Sequence, residues 1–409
     1  APYEYRNKFF TGFAHVTLSG VGCPELGSLL VMPTAGALDV DYRNYGSAYT
    51  SQTALPGYYS NLLTKYGIRT EVTATPRTSA ERYTFPEGTG HILLNLGEGL
   101  TNESGAWVRR VSDTEVEGMK LLGTFCYNPQ AVFPVYFVMR VSKRPAATGF
   151  WKKQPPKQGV EAEWDKDAGN YKLYTQYGKD IAGDDVGVWF SYDMQPGEQV
   201  EVRMGVSFVS AENARLNLEA EQQGRSFDDI RAAARRTWND DLGRIRVEGG
   251  TEAQKKVFYT GLYHALIHPN VLSDVNGEYP AMESAEIRTA EGNRYTVFSL
   301  WDTYRNLHQL LTLVYPERQL EMVRSMVGMY REWGWLPKWE LYGRETFTME
   351  GDPSIPVIVD TWMKGLRDFD MDAAYEAMRK SATTPGARNR MRPDIDPYIA
   401  VSYTHLTLP

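Results

Sequence analysis

The chain has 409 residues, 42% of them hydrophobic and 23% charged. Those are ordinary proportions for a globular protein with core enough for two or three domains. Its formal net charge is −7 and no run of Lys or Arg stands out, which sets aside nucleic acid as a partner; no window approaches about 18 continuous apolar residues, which sets aside insertion into a membrane as a helix. The two cysteines, Cys23 and Cys126, allow one disulfide and exclude a disulfide framework. No signal peptide stands at Ala1, as in a mature form or a fragment, so its absence does not imply a cytoplasmic protein.

Residues 1–210 read as strands. Val200, Val202, Met204, Val206 and Phe208 alternate with Glu201, Arg203 and Ser207, the period of a half-buried strand. PVYFVMRVS (Pro134–Ser142) and GVWFSY (Gly187–Tyr192) are two more, rich in aromatic and β-branched residues. Gly and Pro clusters break the series as in a large antiparallel β-sandwich. Gly20, Gly22, Cys23, Pro24 and Gly27 form a tight loop after His15. No helix follows to converge its amides on a phosphate, so a turn between strands is the plain reading.

Near Ala211 the period changes from two to 3.6. AENARLNLEAEQQG is helical. Ser226 caps a second helix whose expected buried stripe is Phe227, Ile230, Ala234, Trp238 and Leu242. These two helices, 211–249, read as an interdomain linker. From 250 to 400 the chain is mostly helix. Thr251 and Gln254 fit a capping box, and Val257, Phe258, Leu262, Leu266 and Ile267 form the expected core face of the helix they open. His264 and His268 stand at i and i+4. Without the Glu of HExxH, packing or capping outweighs metal binding. Further helices are expected at about Trp301–Val314, Pro316–Trp333, Ser354–Leu366 and Asp372–Ser381, with Leu320, Val323, Met326 and Tyr330 as one apolar stripe.

The stretch from Tyr295 to Asp360 carries the most chemistry. Trp301 and Asp302 adjoin at a helix start, and Trp335, Trp339, Glu340 and Glu345 follow in a loop rich in Gly and Pro. An indole face packs on the C–H face of a pyranose, and a carboxylate accepts from paired hydroxyls. The bland alternative is a core Trp and an Asp placed for the helix dipole. Here SLWDTYRNLHQLLTLVYPE and GWLPKWELYGRETFTMEGDPSIPVIVDTWMKG resemble glycoside hydrolase family 92, the exo-acting α-mannosidases. So do GFAHVTLSGVGCPELGSLLVMPTAG, PGYYSNLLTKYGIRTEVTATPRTSAERYTFP and FYTGLYHALIHPNVLSDVNGEY, in the family's order over most of residues 9–398.

The resemblance implies an N-terminal antiparallel β-sandwich followed by an (α/α)6 barrel, of which the first part is expected here. Five or six helices are discernible after Gly249, against about twelve for six hairpins of ordinary length. The chain is therefore expected to be truncated at both ends, with 401–409 a non-native tail. The resemblance further implies Ca²⁺-dependent, inverting removal of terminal α-mannose from glycans. It implies periplasmic or secreted location in bacteria. Substrate-binding roles fall on Trp301, Asp302, Glu340 and Arg305, and on Gly22 and Cys23 of the sandwich loop. Thr17 stands where the family usually has a second histidine, and Pro353 where histidine is common. The catalytic acid, base and principal Ca²⁺ ligands are expected outside these 409 residues, and the fragment alone is expected to be inactive and prone to aggregate. The alternatives are a non-catalytic carbohydrate-binding fragment, or another sandwich-plus-(α/α)6 glycosidase or phosphorylase.

Overall fold

The structure, a computed structural model, describes residues 7–18, 26–100, 105–123, 130–153, 171–175 and 178–401. Gly22, Cys23 and Cys126 lie outside the described residues. The chain divides into two compact units, 1–124 with 134–241 and 125–133 with 242–409.

The first unit holds two large antiparallel sheets. Ten strands lie in the order Phe9–Phe10, Ser47–Leu55, Tyr58–Leu63, Ile68–Ala74, Thr78–Thr84, Gln199–Ser207, Val132–Val141, Glu115–Gly123, Ala106–Arg110 and Asp180–Gly183. The second sheet orders Tyr171–Tyr174, Ala147–Lys153, Val186–Met194, Gly88–Asn95 and Leu30–Ala35. Alternation places the core as expected: Val200, Val202 and Met204 are buried. The alternation then stops at Gly205, because both faces of the strand are covered. A Cβ on Gly205 would come within 2.3 Å of the Ala214 carbonyl oxygen, so only glycine lets the helix Ala211–Gln222 lie this close. Ala214 and Leu218 of that helix pack on Val138, and Asn217 Nδ2 donates to Val206 O at 2.8 Å.

This packing corrects the expected linker. The helix Ala211–Gln222, and Phe227–Leu242 as far as Asp241, belong to the first unit. Phe227 and Ile230 pack on Tyr58 and Ala80, and Arg82 bridges Glu71 and Asp228 while its guanidinium sits 4.3 Å from the Phe227 ring. Ala234, Trp238 and Leu242, expected in the same stripe, are only half-buried. Ser226 caps the second helix, its Oγ accepting from Asp229 N at 3.1 Å.

The second unit is helical. Thr251 and Gln254 form the expected capping box on Glu252–Ala265. The expected core face of that helix is only partly right. Leu262 is buried, but Val257 is 73% and Phe258 38% exposed. The helix ends at Ala265, so His264 and His268 do not share a helical face, and His268 Nδ1 instead pairs with Asn270 Oδ1. The helix expected at Trp301–Val314 is two, Leu300–Thr303 and Leu307–Val314. Pro316–Trp333 runs as expected, opened by its proline and closed by Gly334 at φ +93. Ser354–Met363 and Met371–Thr383 follow. Leu311, Tyr315, Val323, Met326, Ile358 and Ala374 form the core shared by these helices.

Candidate functional site

A small three-stranded sheet places the aromatic and acidic residues singled out in the sequence. Its strands are Phe298–Ser299, Trp339–Leu341 and Arg344–Glu345, with Phe298 opposite Glu340 and Glu340 opposite Glu345. Tyr342 and Gly343, both with positive φ, make the two-residue turn that such a right-twisted hairpin requires. The first strand runs directly into Leu300–Thr303, so Trp301 and Asp302 project from the turn where strand becomes helix.

Asp302 is exposed. One oxygen accepts from Ser299 Oγ at 2.5 Å, and among the described residues no other hydrogen bond reaches the carboxylate. Trp301 is half-buried. The Arg305 guanidinium sits 4.8 Å from its ring and 5.1 Å from that of Tyr304, a pair of cation–π contacts that orders both rings. Three of the residues named from the sequence, Trp301, Asp302 and Arg305, thus stand together on one exposed turn: an aromatic wall, an anion with free lone pairs and a cation.

Glu340 is not with them. It is fully buried, and its two oxygens accept from Thr296 Oγ1 at 2.8 and 3.0 Å, Val297 N at 3.0 Å and Gly343 N at 2.6 Å. The expectation that it binds substrate is corrected on that ground, because its lone pairs are engaged inside the protein. Burial pushes its carboxyl up to about 7, against the pull of Gly343 N, Thr296 and Arg294. It pins Val297, a β-branched residue held at φ +64, which is a strained conformation that needs such a partner. Val297 leads straight into the strand Phe298–Ser299, which runs into the helix of Trp301 and Asp302, so Glu340 is a positioning residue for that turn.

Glu345 is alike. It is fully buried and accepts from Lys338 N, Trp339 N and Phe347 N at 2.8, 2.9 and 2.9 Å. Burial nonetheless raises its pKa. Trp339 is buried, whereas Trp335 is half-buried with Lys380 Nζ 4.7 Å from its ring. Asp352 accepts from Ser381 Oγ, and burial raises its pKa too. His15 is a structural group of the first unit. Its Nδ1 donates to Leu29 O at 2.7 Å and its Nε2 pairs with Glu81 at 2.6 Å. Burial opposes its charge, but Glu81 and two carbonyls outweigh that and raise its pKa.

Two buried polar groups escaped the sequence reading. Arg294 and Glu332 form an ion pair, with side chains 4% and 2% exposed, joined by Tyr279 Oη and Met282 N on the Glu332 carboxylate. His308 donates from Nδ1 to Gln319 Oε1 at 2.9 Å and accepts at Nε2 from Thr303 Oγ1 at 3.0 Å. Arg294 and Glu332 are 38 positions apart, beyond any local spacing rule.

An antiparallel sandwich followed by a helical unit that displays an indole and a carboxylate is the architecture of a class of carbohydrate-active proteins. Comparison with known families places the chain within that class. Residues 1–207 match the glycosyl hydrolase family 92 N-terminal domain and residues 213–407 the family 92 catalytic domain. The chain belongs to glycosyl hydrolase family 92, and its helices are those of an (α/α)6 barrel. It is similar to a family 92 α-mannosidase from Bacteroides thetaiotaomicron solved in complex with mannoimidazole. That match has 31% identity and a TM-score of 0.83 over 93% of this chain and 50% of the other. A family 92 inverting mannosidase from the same organism matches at 26% identity and a TM-score of 0.80, over 93% and 49%. A curated relative from Arthroderma benhamiae, described as an uncharacterized secreted glycosidase, is 26% identical over 91% of this chain and 46% of its own length. The chain thus spans about half the length of these relatives.

Proposed function

We propose that this chain is part of a Ca²⁺-dependent, inverting exo-α-mannosidase that removes terminal α-linked mannose from glycans. Family membership supports the reaction class. The observation that carries the reading within this chain is the exposed turn of Trp301, Asp302 and Arg305. The Asp302 oxygen left without a protein donor accepts from adjacent sugar hydroxyls, a charge-assisted pairing stronger than a neutral one. Arg305 covers part of the Trp301 ring system, and a pyranose packs on the indole surface left open. Export to the periplasm or the exterior accords with the secreted relative.

Hydrolysis with inversion takes two carboxyl groups about 6.5–9.5 Å apart, one protonating the leaving oxygen and one activating water. Glu340 and Glu345 are engaged by backbone amides and are not assigned to either role. We accordingly propose that the 409-residue chain binds the sugar without cleaving it. Calcium stays in the proposal from the family resemblance. Among the described residues no group of three or more His, Cys, Asp or Glu could hold a metal ion, so they do not fit it and no step is derived through it. The test is release of mannose from an α-mannoside by the product of the complete reading frame. Asp302→Ala is expected to lower the rate at least about 100-fold, by loss of sugar binding strengthened in the transition state. Unchanged turnover would remove Asp302 from the site. Chelation with EGTA is expected to abolish the rate and added Ca²⁺ to restore it; a rate indifferent to both removes calcium. Mannose release by the 409-residue chain itself would contradict the binding-only proposal.

A further inference from the structure

The first unit contains a cavity of about 540 Å³ whose walls come from both sheets, Tyr49 and Tyr59 from one and Leu30 from the other. Phe10 and Phe13 line it, with ring centroids 4.6 Å apart, and Phe13 meets Tyr59 edge-on at 6.2 Å. The volume is that of a small-molecule site, concave and mostly apolar. Among the described residues that line it, Glu98 is the one charged side chain, and no Lys, Arg or His joins it. Among the described residues no hydrogen bond reaches the Glu98 carboxylate; only its backbone N–H is engaged, donating to Asn95 Oδ1 at 3.0 Å.

We propose that this cavity binds an organic ammonium with an apolar or aryl body, the body lying among the rings and the cation facing Glu98. Aromatic faces attract cations through their quadrupole, and a lone carboxylate adds a point charge of the right sign. A saccharide fits less well. It presents several hydroxyls per ring, and each one buried without a partner costs free energy; the walls here are chiefly hydrocarbon. An anionic ligand would meet Glu98, the one charged side chain among the described lining residues. The charge environment of Glu98 supports the assignment. Burial first, then Asp185 and Asp41, push its carboxyl up to about 7, while Lys153 and Arg43 pull it down. Tyr45 and Tyr171 feel its charge in turn. A bound ammonium would add a positive charge to a cluster in which Arg43 already pairs with Asp41 and Lys153 lies near Asp185.

The probe set is 4-phenylbutylamine, 4-phenylbutanol and 4-phenylbutyrate, titrated calorimetrically into the 409-residue chain. The amine is expected to bind at least about tenfold more tightly than the butyrate at pH 8, a difference of the size one desolvated cation contact gives. Glu98→Gln is expected to remove that preference while leaving the alcohol's affinity unchanged, with circular dichroism and melting temperature reporting an intact fold. Affinity for the amine is also expected to fall as the pH drops from 8 to 6, through the point where Glu98 takes up its proton, and the alcohol's affinity is expected not to. Equal binding of all three probes, or an amine preference that survives Glu98→Gln, overturns the proposal. So does competition by millimolar mannose in place of the amine.

Discussion

Two carboxylates of one stretch, Asp302 and Glu340, have opposite surroundings and so opposite roles. Asp302 keeps an oxygen open to solvent on a short helix. Glu340 accepts four contacts in a fully buried site and braces Val297 and the Tyr342–Gly343 turn. Glu340→Gln turns an amide NH₂ toward a backbone N–H, so it is expected to cost about 1–3 kcal/mol in a thermal or urea melt. A Glu340 that served as a sugar ligand would instead lose affinity with no loss of stability. Asp302 stands out in the sequence because an indole and a carboxylate adjoin at a helix start. The inward placement of Glu340 is not readable there. Its partners Thr296 and Val297 lie 44 and 43 positions earlier, and the three amino acids look no different on paper from a surface set.

Between elements, a buried polar chain ties the helices together. Thr303, His308, Gln319 and Thr361 link Leu300–Thr303, Leu307–Val314, Pro316–Trp333 and Ser354–Met363. Burial holds His308 at about 4 against its ordinary 6.5, despite the Gln319 contact. The unfolded chain therefore binds the extra proton between those values. The contribution of this group is fully present above about 6.5 and is lost as pH falls toward 4. The difference in melting temperature between the protein and His308→Gln is thus expected to shrink as the pH falls from 7.5 to 5; a pH-independent difference would place His308 outside the buried chain. Glu332 is the other tie. Glu332→Ala leaves the Arg294 guanidinium buried without its partner and is expected to cost about 3–5 kcal/mol by denaturant titration. The helices themselves were legible, since capping by Thr251 and the proline and glycine that bound Pro316–Trp333 are local signals. The faces were less so. Val257 and Phe258 look like core by period, yet exposure depends on what packs there, which no periodicity states.

At the scale of the whole chain, the compact units divide after Asp241, whereas the family domains meet between residues 207 and 213, near the expected residue 210. Sequence period marks where strands give way to helices. It does not say onto which body the first two helices fold; Gly205, whose missing side chain admits one of them, was the clue and lay inside a strand pattern. Gly249 and Gly250 are exposed between helices, and limited proteolysis is expected to cut there first, with cleavage near residue 210 contradicting the boundary. Leu313, Val257 and Met363 are 77%, 73% and 67% exposed, and light scattering is expected to show self-association that rises with salt, as exposed apolar surface gives. The central claim is that the turn of Trp301, Asp302 and Arg305 grips mannose. Calorimetric titration of the 409-residue chain with methyl α-mannoside tests it most directly. The account predicts heat of binding that is present in the unaltered protein and absent in a folded Asp302→Ala variant at millimolar sugar, and equal heats in the two would contradict it.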